Sequence, residues 1–590
     1  MVTVSQQRPP VSANEEQISK IFSQSTYFEI PRFQRSYAWD VDEYSDFWED
    51  ISRADRNGGD HVHFLGAMVF ARNPTRPSVY VLDGQQRLTT LMLLVAAMHK
   101  AVVGLDVDPE KLLTEDLAAA LRVTVTIDGK AQRVRRLRAN RQDRECFEQL
   151  VVDGKLKNPK HESHRLMKKA YDYLITQVGE LGVGPLERYE RIASLWATIR
   201  DRFWYIHIVC EEEINAQVVF ESLNAKGEDL STADLIKNYL FMEIEQNPGP
   251  DDIDEADKQW DRMINSLGKD ALLPDYVHAY WGSKYAFSRA GEIYSELKDR
   301  ISMKSSNVWE FLRQLSGEAE TYAEIRNPSD DYWHSRATAR MLREMKALNI
   351  RVTHGVLLAL WAVLKSDPND FERRVRMLLN FMVRYSKVAE KPTNTIHEAF
   401  SQWARDIRTG TRNPDEFDEW LRKTAPSPEL FIESFRTWKI KSGPTARLIL
   451  MKINNALNTE GEPEAMIADP EKVTLEHIIP QTPNQKWIEY LKANNIQLED
   501  VVHRVGNLTL LTGPKNTAAS NREFAYKRDN MYAGSSLPMN QDLVLSIPRD
   551  GAGVIDLGPL RRQLDEFGLA QLEDRQVRLA IVAESIWGLD

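Results

Sequence analysis

Hydrophobic and polar positions in the first part of the chain alternate between short apolar runs and one long helical pattern. Val62–Phe70 and Val79–Leu82 are short apolar runs bounded by polar residues, which predicts two buried strands. The second run enters a turn at Asp83-Gly84, and Gln85–Val102 then has the length and leucine spacing of a buried helix. The pattern therefore predicts a mixed α/β region in which a strand turns through glycine into a helix.

The middle of the chain has apolar residues at spacings of three and four, which is typical of helices with one buried face. Four stretches show this spacing: Val308–Leu315, Ala337–Leu348, Arg351–Leu364 and Phe371–Lys387. Breaks rich in acidic residues, proline and glycine occur at 246–252 and 458–464. We therefore expect three regions, residues 1–245, 246–440 and 441–590, of which the second is a helical connector.

Composition places the chain of 590 residues among ordinary globular proteins, with 42% hydrophobic and 28% charged residues. No apolar run approaches the roughly 18 residues that a membrane span needs, and the first residues do not resemble a signal peptide. Two cysteines, Cys146 and Cys210, are too few for a disulfide scaffold or thiolate zinc sites. These features predict a soluble cytoplasmic protein with no membrane partner. The oligomeric state stays open, and a homo-oligomer is among the states allowed.

The net charge of the chain excludes few classes of protein. The net charge of −11 does not favour a histone-like coat for nucleic acid, but it is compatible with a DNA enzyme that has local basic surface. One basic cluster consists of Arg133, Arg135, Arg136, Arg138, Arg141 and Arg144. This cluster is either a stripe that faces DNA or a set of exposed arginines on a solvated surface.

The turn after the second predicted strand has the features of an anion site. A strand that turns through glycine into a helix leaves backbone N–H groups unpaired beside the positive end of the helix dipole. Arg87, in the first helical turn, adds charge-assisted hydrogen bonds to phosphate. The alternative is structural, with Asp83 as a helix cap, Gly84 relieving a tight turn and Arg87 in a surface ion pair. The chain has no P-loop string, so hydrolysis of a nucleotide here would not be of the P-loop kind.

A second group of polar residues lies late in the chain. Glu476 and His477 stand side by side on the predicted strand Thr474–Gln481, Asn507 follows thirty positions after His477, and Asn516 follows nine positions later. A neutral imidazole can take a proton from water that attacks phosphorus, and a divalent cation with oxygen ligands offsets the charge that develops. Adjacent strand residues point to opposite faces, so Glu476 and His477 both point inward only if the strand is distorted.

Several strings of the first region resemble the N-terminal domain of the GmrSD-type modification-dependent restriction endonuclease family, over about residues 15–245. The matching strings are Ile30–Trp39, Asp83–Arg87, Val219–Gly227 and Asp234–Asn238. The resemblance implies a fold similar to ParB and sulfiredoxin with a pocket for GTP or another nucleoside triphosphate. The residues implied for the pocket are Asp83, Gly84, Gln85, Gln86 and Arg87, with Arg35 and Tyr37 as further lining.

The last region resembles the C-terminal domain of the same family, over about residues 440–590. The matching segments are Glu476–Gln481, Gly506–Leu511, Asn516, Phe524–Lys527 and the closing helix Arg575–Trp587. The order of these segments is that of a ββα-metal (HNH) nuclease. The resemblance implies that His477 is the general base, Asn507 orients it, Glu476 and Asn516 bind Mg²⁺ or Mn²⁺, and Lys527 contacts DNA phosphate. Asn521 competes with Asn516 as the metal ligand.

Together these features predict a multidomain α+β protein: a ParB/sulfiredoxin-like N-terminal α/β domain, a helical middle and a C-terminal HNH nuclease embedded in helices. The resemblance implies an anti-phage restriction endonuclease that cleaves or nicks modified or phage double-stranded DNA and is regulated by nucleotide. One alternative is an SspE-like nicking nuclease and NTPase that is stimulated by phosphorothioate. Others are a nucleotide-binding regulator whose C-terminal domain only holds DNA, and a non-specific toxin nuclease.

Overall fold

The computed structural model divides the chain into two compact units, Met1–Ile253 and Asp254–Asp590. The residues it describes are 11–32, 34–57, 62–72, 77–105, 107–108, 110–127, 129–210, 232–246, 253–268, 272–285, 287–301, 305–458, 466–512, 521–546, 562–563 and 566–589. Within these ranges, no helix is both long and apolar enough to cross a bilayer.

A six-stranded mixed sheet forms the centre of the first unit. Its strands are β1 (Val11–Gln17), β2 (Tyr27–Glu29), β3 (His63–Arg72), β4 (Ser78–Asp83), β7 (Leu137–Arg138) and β8 (Phe203–Cys210), and their order across the sheet is β1-β8-β3-β4-β2-β7. A separate hairpin joins β5 (Arg122–Ile127) to β6 (Lys130–Arg135). Strands β3 and β4 confirm the two apolar runs that the sequence indicates.

Helices cover this sheet and close its core. They are α1 (Ser19–Ser23), α2 (Val41–Asn57), α3 (Gln85–Val103), α4 (Leu112–Leu121), α5 (Arg144–Asp153), α6 (Glu162–Gly179), α7 (Pro185–Arg202) and α8 (Thr232–Gln246). Helix α3 is buried along almost its whole length, including its first residues Gln85 and Gln86. Because apolar residues cover every face of α3, it lies inside the unit and not on its surface. The helix confirms the sequence prediction for Gln85–Val102.

Helices make up most of the second unit. They are α9 (Ile253–Leu267), α10 (Leu273–Lys284), α11 (Ala290–Arg300), α12 (Ser305–Arg326), α13 (Arg336–Ala347), α14 (His354–Leu364), α15 (Pro368–Met382), α16 (Asn394–Thr409), α17 (Pro414–Thr424), α18 (Pro428–Phe435), α19 (Gly443–Leu457), α20 (Gln485–Ala493), α21 (Leu498–Val501), α22 (Phe524–Lys527), α23 (Pro538–Gln541) and α24 (Leu569–Ile586). Helix α15 continues as a π-helical segment, Val383–Val388, and α22 continues as another, Arg528–Tyr532.

Two short hairpins complete the second unit. Strands β9 (Val473–His477) and β10 (Leu508–Thr512) pair antiparallel, as do β11 (Leu545–Ser546) and β12 (Arg562–Gln563). The middle and C-terminal helices belong to one compact unit. Arg384 Nη1 contacts Glu584 Oε1 at 3.2 Å, and Asn380 Nδ2 donates to the carbonyl oxygen of Gly588 at 2.7 Å. The domain boundaries drawn from the sequence remain predictions.

Candidate active site and nucleotide pocket

The β9–β10 hairpin carries the residues that the sequence singles out in the last region. His477 is paired with Leu508, and Glu476 with Thr509, and the register is unbroken over the whole of β9. Because neighbouring strand residues point to opposite faces, a regular pairing separates the two side chains. Glu476 contacts Lys527, whereas the ring of His477 lies 5.8 Å from the ring of His503. The described hairpin therefore lacks the distortion that would turn Glu476 and His477 inward together.

The His477 imidazole is held in its neutral form. Its ring is partly buried, and Nε2 is a buried atom with no hydrogen-bond partner in the part of the chain that the structure describes. Burial lowers the pKa of His477 to about 4, and the nearby His503 and Lys527 add to this effect. A neutral imidazole with an unused nitrogen has the form that a general base requires at neutral pH.

Glu476 and Lys527 form a buried ion pair. The Lys527 side chain is fully buried, and its Nζ donates to Glu476 Oε1 at 2.7 Å, to the His477 carbonyl at 2.8 Å and to the Ile478 carbonyl at 3.2 Å. Burial raises the pKa of Glu476 and lowers the pKa of Lys527, while their mutual attraction opposes both shifts. Three acceptors already occupy the ammonium of Lys527, so in this conformation it anchors the end of β9 and is not positioned as the predicted contact to DNA phosphate.

Asn507 connects the segments that carry the two imidazoles. Its Oδ1 accepts from the N–H of Ile479 at 2.8 Å, and its Nδ2 donates to the carbonyls of Ile479 and Val502, each at 3.0 Å. Ile479 lies two positions after His477, and Val502 directly precedes His503. The amide is fully buried and uses its acceptor and both donors. The Asn507 amide therefore ties the backbone after His477 to the backbone before His503. The role in orienting His477 that the resemblance implies stays a prediction.

Helix α24 packs against the loop that carries Asn507. Arg575 Nη1 donates to the carbonyls of Gly506 and Leu508, both at 2.8 Å. Gln576 Oε1 accepts from Arg504 Nε at 3.0 Å, and its Nε2 donates to the carbonyls of Phe435 and Trp438. Arg575 and Gln576 are both buried, so the helix fixes the loop through hydrogen bonds that water does not reach.

The described residues do not complete a metal site by themselves. No group of three His, Cys, Asp or Glu side chains within the described ranges has the geometry to hold an ion. Of the predicted ligands, Glu476 has one oxygen engaged by Lys527, and Asn516 lies outside the described residues. Asn521 is exposed, and its backbone carbonyl accepts from Asn484 Nδ2 at 2.9 Å.

The predicted turn of the first unit lies between β4 and α3. Gly84 adopts a left-handed conformation (φ 84°), and α3 begins directly after it with no side-chain cap. Arg87 Nη1 donates to the carbonyl of Leu65, and Nη2 lies 3.8 Å from Asp83 Oδ2. Gly66 (φ 86°) packs against this guanidinium, where a Cβ would overlap Nη1. Arg87 and Asp83 are each about a quarter exposed, so both remain accessible at the rim of the turn.

The two glutamines of the turn differ in their contacts. Gln86 is satisfied by the preceding loop, because its Oε1 accepts from the N–H of Ala38 and its Nε2 donates to the carbonyl of Ser36, both at 3.1 Å. Gln85 is 7% exposed, and its Oε1 has no hydrogen-bond partner among the described residues. A buried polar atom without a partner is costly, so Gln85 is the better candidate for a ligand contact.

Tyr37 and Arg35 lie on the loop that crosses this turn. Tyr37 is buried, its hydroxyl is 2.8 Å from Thr90 Oγ1, and its N–H donates to Asp143 Oδ2 at 2.6 Å. Burial raises the pKa of Tyr37 far above its usual value. Tyr37 therefore fastens the loop to the core. Arg35 is partly buried and has no hydrogen-bond or ion-pair partner within the described ranges, which leaves its guanidinium available to an anion.

The arginine cluster is largely structural. Arg136 is 4% exposed and donates to five backbone carbonyls, those of Ala120, Ile21, Gln24, Ala119 and Arg122. Arg135 pairs with Glu148 at 2.9 Å, and Arg138 pairs with Glu29 at 3.3 Å. A continuous stripe facing DNA is therefore wrong for this cluster, because its central guanidinium is used to satisfy backbone carbonyls inside the protein.

His503 is the residue that sequence reasoning missed. It lies 26 positions after His477, in a stretch whose polar residues have no unusual spacing. Its ring stands nearly perpendicular to that of His477, with an interplanar angle of 78°. The only sequence signal is its place four positions before Asn507. The contact of His503 with His477 depends on the fold, because Asn507 holds together the two segments that carry these rings.

Comparison with known protein families is consistent with both parts of this geometry. Residues 18–241 match the model for the GmrSD restriction endonuclease, N-terminal domain, and residues 428–582 match the model for the GmrSD restriction endonucleases, C-terminal domain. No curated protein matches the chain. The two matched segments include the turn at Arg87 and the hairpin at His477, one near each end. The chain therefore belongs to the GmrSD restriction endonuclease family and is a nuclease of the anti-phage restriction type that acts on DNA.

Proposed function

We propose that the β9–β10 hairpin is an HNH-type site that hydrolyses DNA phosphodiesters with His477 as the general base. The observation that carries the proposal is the neutral His477 imidazole, whose Nε2 has no protein partner. In the proposed reaction a water molecule loses a proton to Nε2 as its oxygen bonds to phosphorus. The bond from phosphorus to the 3′ oxygen then breaks, and the 3′ oxygen leaves with the bonding electrons and takes a proton from solvent, which gives a 5′ phosphate and a 3′ hydroxyl. Asn507 acts as the positioning residue, and His503 supplies a second imidazole beside the base.

The proposed cofactor is Mg²⁺ or Mn²⁺, with Glu476 and Asn516 as ligands. Such a cation would offset charge on the phosphorus and on the leaving oxygen. Oxygen ligands suit both ions, but Glu476 has to share its carboxylate with Lys527. Cleavage should stop in chelator and return with either metal. Asn516→Ala should raise the metal concentration needed for half-maximal cleavage, whereas Asn521→Ala should leave it unchanged. If Asn521→Ala raised this metal concentration and Asn516→Ala did not, Asn521 would be the metal ligand.

The nuclease experiment compares wild type with His477→Ala, His503→Ala and the control His334→Ala, whose histidine is exposed. His477→Ala should lower the cleavage rate by about 10²–10⁴-fold, the range that general-base catalysis contributes. His503→Ala should lower it less, and His334→Ala should not change it. Unchanged cleavage in His477→Ala would favour the alternative in which this unit only holds DNA.

We also propose that the turn at Asp83–Arg87 binds GTP or another nucleoside triphosphate and regulates cleavage. Support comes from the free Oε1 of Gln85, the accessible guanidinium of Arg87 and the unengaged Arg35, all near the N-terminus of α3. Arg87→Ala should abolish nucleotide turnover and alter cleavage, whereas Arg53→Ala, on the exposed face of α2, should do neither. If Arg87→Ala lost nucleotide turnover but cleaved DNA as wild type does, the proposed regulation of cleavage by nucleotide would be wrong.

The proposed substrate is modified or phage double-stranded DNA, met in the cytoplasm. Plain, glucosylated and phosphorothioated plasmids should be compared with and without nucleotide, using His477→Ala as the inactive control. Preference for the glucosylated plasmid would support sensing of modified cytosine. Stimulation by phosphorothioate would instead favour the SspE-like alternative. Equal degradation of plain DNA without nucleotide would favour a non-specific toxin nuclease.

A further inference from the structure

A cavity of about 420 Å³ lies between α10, α12, α14 and α16 of the second unit. Small residues let these helices approach one another at its walls. A Cβ on Gly355 would lie 3.1 Å from the carbonyl oxygen of Ala279, and one on Gly282 would lie 3.0 Å from Ser401 Oγ. The volume falls within the range of sites for small molecules the size of a nucleotide. All the residues that line the cavity belong to the second unit, so the cavity is separate from the turn at Arg87.

Two arginines give the cavity a positive wall. Arg326 Nη1 donates to Asp275 Oδ2 at 2.7 Å and to the Tyr322 hydroxyl at 3.4 Å, which fixes its guanidinium. Arg351 Nε donates to Asn349 Oδ1 at 3.0 Å, and no carboxylate in the described part of the chain pairs with Arg351. Asp275 is the cavity's carboxylate, and Arg326 already engages it. The unpaired charge that remains is that of Arg351, in a protein whose net charge is −11.

The N-terminus of α14 opens into the same cavity. Val352, His354, Gly355 and Val356 line it, and the first N–H groups of a helix have no acceptor within the helix. Thr353, the N-cap residue, is fully buried, and its Oγ1 has no hydrogen-bond partner among the described residues. The N–H of His354 already donates to the carbonyl oxygen of Arg351 at 3.0 Å, which leaves the N–H groups of Gly355 and Val356 for a ligand. The helix dipole and the guanidinium of Arg351, which also lines the cavity, add positive charge. This combination binds phosphate in proteins.

Two imidazole rings, those of His278 and His397, also line the cavity. The ring centroids of His278 and His397 are 5.5 Å apart with an interplanar angle of 61°, and the ring of His397 lies 5.0 Å from that of Phe287. Burial and the neighbouring His278 lower the pKa of His397 below its usual value, so His397 is uncharged at neutral pH. The ring of His397 offers a flat face for stacking and nitrogen atoms that can donate to or accept from the edge of a base. His278 adds a second ring, whose Nε2 is 3.1 Å from the carbonyl oxygen of Ser288. Groups suited to a phosphate and groups suited to a base thus line the same cavity.

We propose that this cavity binds a nucleoside monophosphate or a ligand of the same chemistry. The N-terminus of α14, Arg351 and Arg326 hold its phosphate, and His278 and His397 contact its base. The site is independent of the nucleoside triphosphate pocket proposed at Arg87. It gives the helical middle of the chain a role as a ligand sensor within the same unit as the hairpin at His477.

Binding to the full chain is measured by isothermal titration calorimetry with AMP, GMP, inorganic phosphate and adenosine. Wild type should bind at least one nucleotide more tightly than inorganic phosphate, and adenosine should not bind detectably. Arg351→Gln should weaken nucleotide binding at least tenfold, because it removes the unpaired guanidinium. Arg351 is exposed, so this variant should keep the melting temperature of wild type. Arg376→Gln, at an exposed position of α15, is the matched control and should bind as wild type does.

Arg87→Ala separates this proposal from the triphosphate pocket. The variant should retain AMP or GMP binding, since Arg87 is in the first unit. If Arg87→Ala abolished nucleotide binding and Arg351→Gln left it intact, the nucleotide would bind at the turn, and the proposed cavity site would be wrong. If inorganic phosphate bound as tightly as the nucleotides, the proposed contact of His278 and His397 with the base would be wrong. No binding of any probe at millimolar concentration would overturn the proposal as a whole.

Discussion

The ammonium group of Lys527 has no exposure to solvent and depends on Glu476 for its countercharge. Two backbone carbonyls, those of His477 and Ile478, complete its contacts. A buried ion pair adds little net stability, but the loss of one partner leaves an uncompensated charge. The pair therefore holds the end of β9, and with it the backbone of His477, for as long as both members are present.

Lys527→Met tests this dependence. We expect the free energy of unfolding to fall by about 3–5 kcal/mol, because the Glu476 carboxylate would be left buried and unpaired. The double variant Glu476→Gln/Lys527→Met should recover a large part of that loss, since it buries no charge. Urea unfolding measures both changes, with the exposed Lys486→Met as control. A double variant as unstable as the single one would contradict the electrostatic explanation.

His354 makes the stability of the second unit depend on pH. Burial, with the nearby Arg326 charge, lowers its pKa from 6.5 to about 4. The unfolded chain then binds more protons than the folded one between these values, so stability rises with pH across this window. The stabilisation that comes from burying His354 in its neutral form is fully present above pH 6.5 and is lost as the pH falls towards 4.

His354→Gln should therefore reduce the fall in melting temperature between pH 6.5 and pH 4. The comparison is made by thermal unfolding in matched buffers without ligand, because the ring also lines the proposed cavity. His334→Gln, at an exposed position, should keep the pH dependence of wild type. If the melting temperatures of wild type and His354→Gln fell equally between pH 6.5 and pH 4, groups other than His354 would cause the loss of stability in acid.

At the scale of elements, Gly506 sets the distance between α24 and the loop that carries Asn507. A Cβ at this position would overlap the carbonyl oxygen of Leu572 and would lie 2.9 Å from Gln576 Cβ. The φ of Gly506 is not positive, so the requirement for glycine comes from packing and not from backbone conformation. Moving α24 away would also strain the hydrogen bonds of Arg575 to this loop.

Gly506→Ala should destabilise the chain by roughly 1–3 kcal/mol, the usual cost of overpacking, and should lower cleavage because Asn507 shifts with the loop. Urea unfolding and a plasmid cleavage assay measure the two effects. Gly317→Ala is the matched control: no atom lies within 4 Å of a Cβ built there, and the position is exposed on α12. That change should be neutral or stabilise by up to about 1 kcal/mol.

The elements themselves follow from the sequence, but their contacts across the chain do not. Apolar spacing predicts β4, α3 and the middle helices because local periodicity reflects which face is buried. The sequence also has a helix-like stretch at Ala518–Tyr532. Helical structure is present there from Phe524 to Tyr532, whereas residues 521–523 are not helical and 518–520 lie outside the described residues. Periodicity carries no information about the pairing of Glu476 with Lys527, 51 positions apart. The phosphate contact of Lys527 is implied by the family resemblance, whereas the contact of Lys527 with Glu476 depends on tertiary packing.

At the scale of the whole molecule, each family match lies in a different unit. The segment 18–241 is in the first unit, and 428–582 is in the second. Each unit has its own buried core. One cluster runs from Ile18 to Tyr205 around α3, and another, from Ile478 to Leu572, lies under the β9–β10 hairpin. A protein with two such cores can lose one while the other stays folded.

Calorimetry of the full chain should therefore resolve two unfolding transitions. Leu93→Ala, at a fully buried position of α3, and Leu378→Ala, at a fully buried position of α15, each create a cavity that costs about 2–5 kcal/mol. Each variant should lower one transition by several degrees and leave the other in place, and the double variant should show both shifts, because distant changes are additive. A single transition that both substitutions lower equally would mean that the units unfold together. The proposed nucleotide pocket at Arg87 and the hairpin at His477 would then be coupled through stability alone, before any ligand binds.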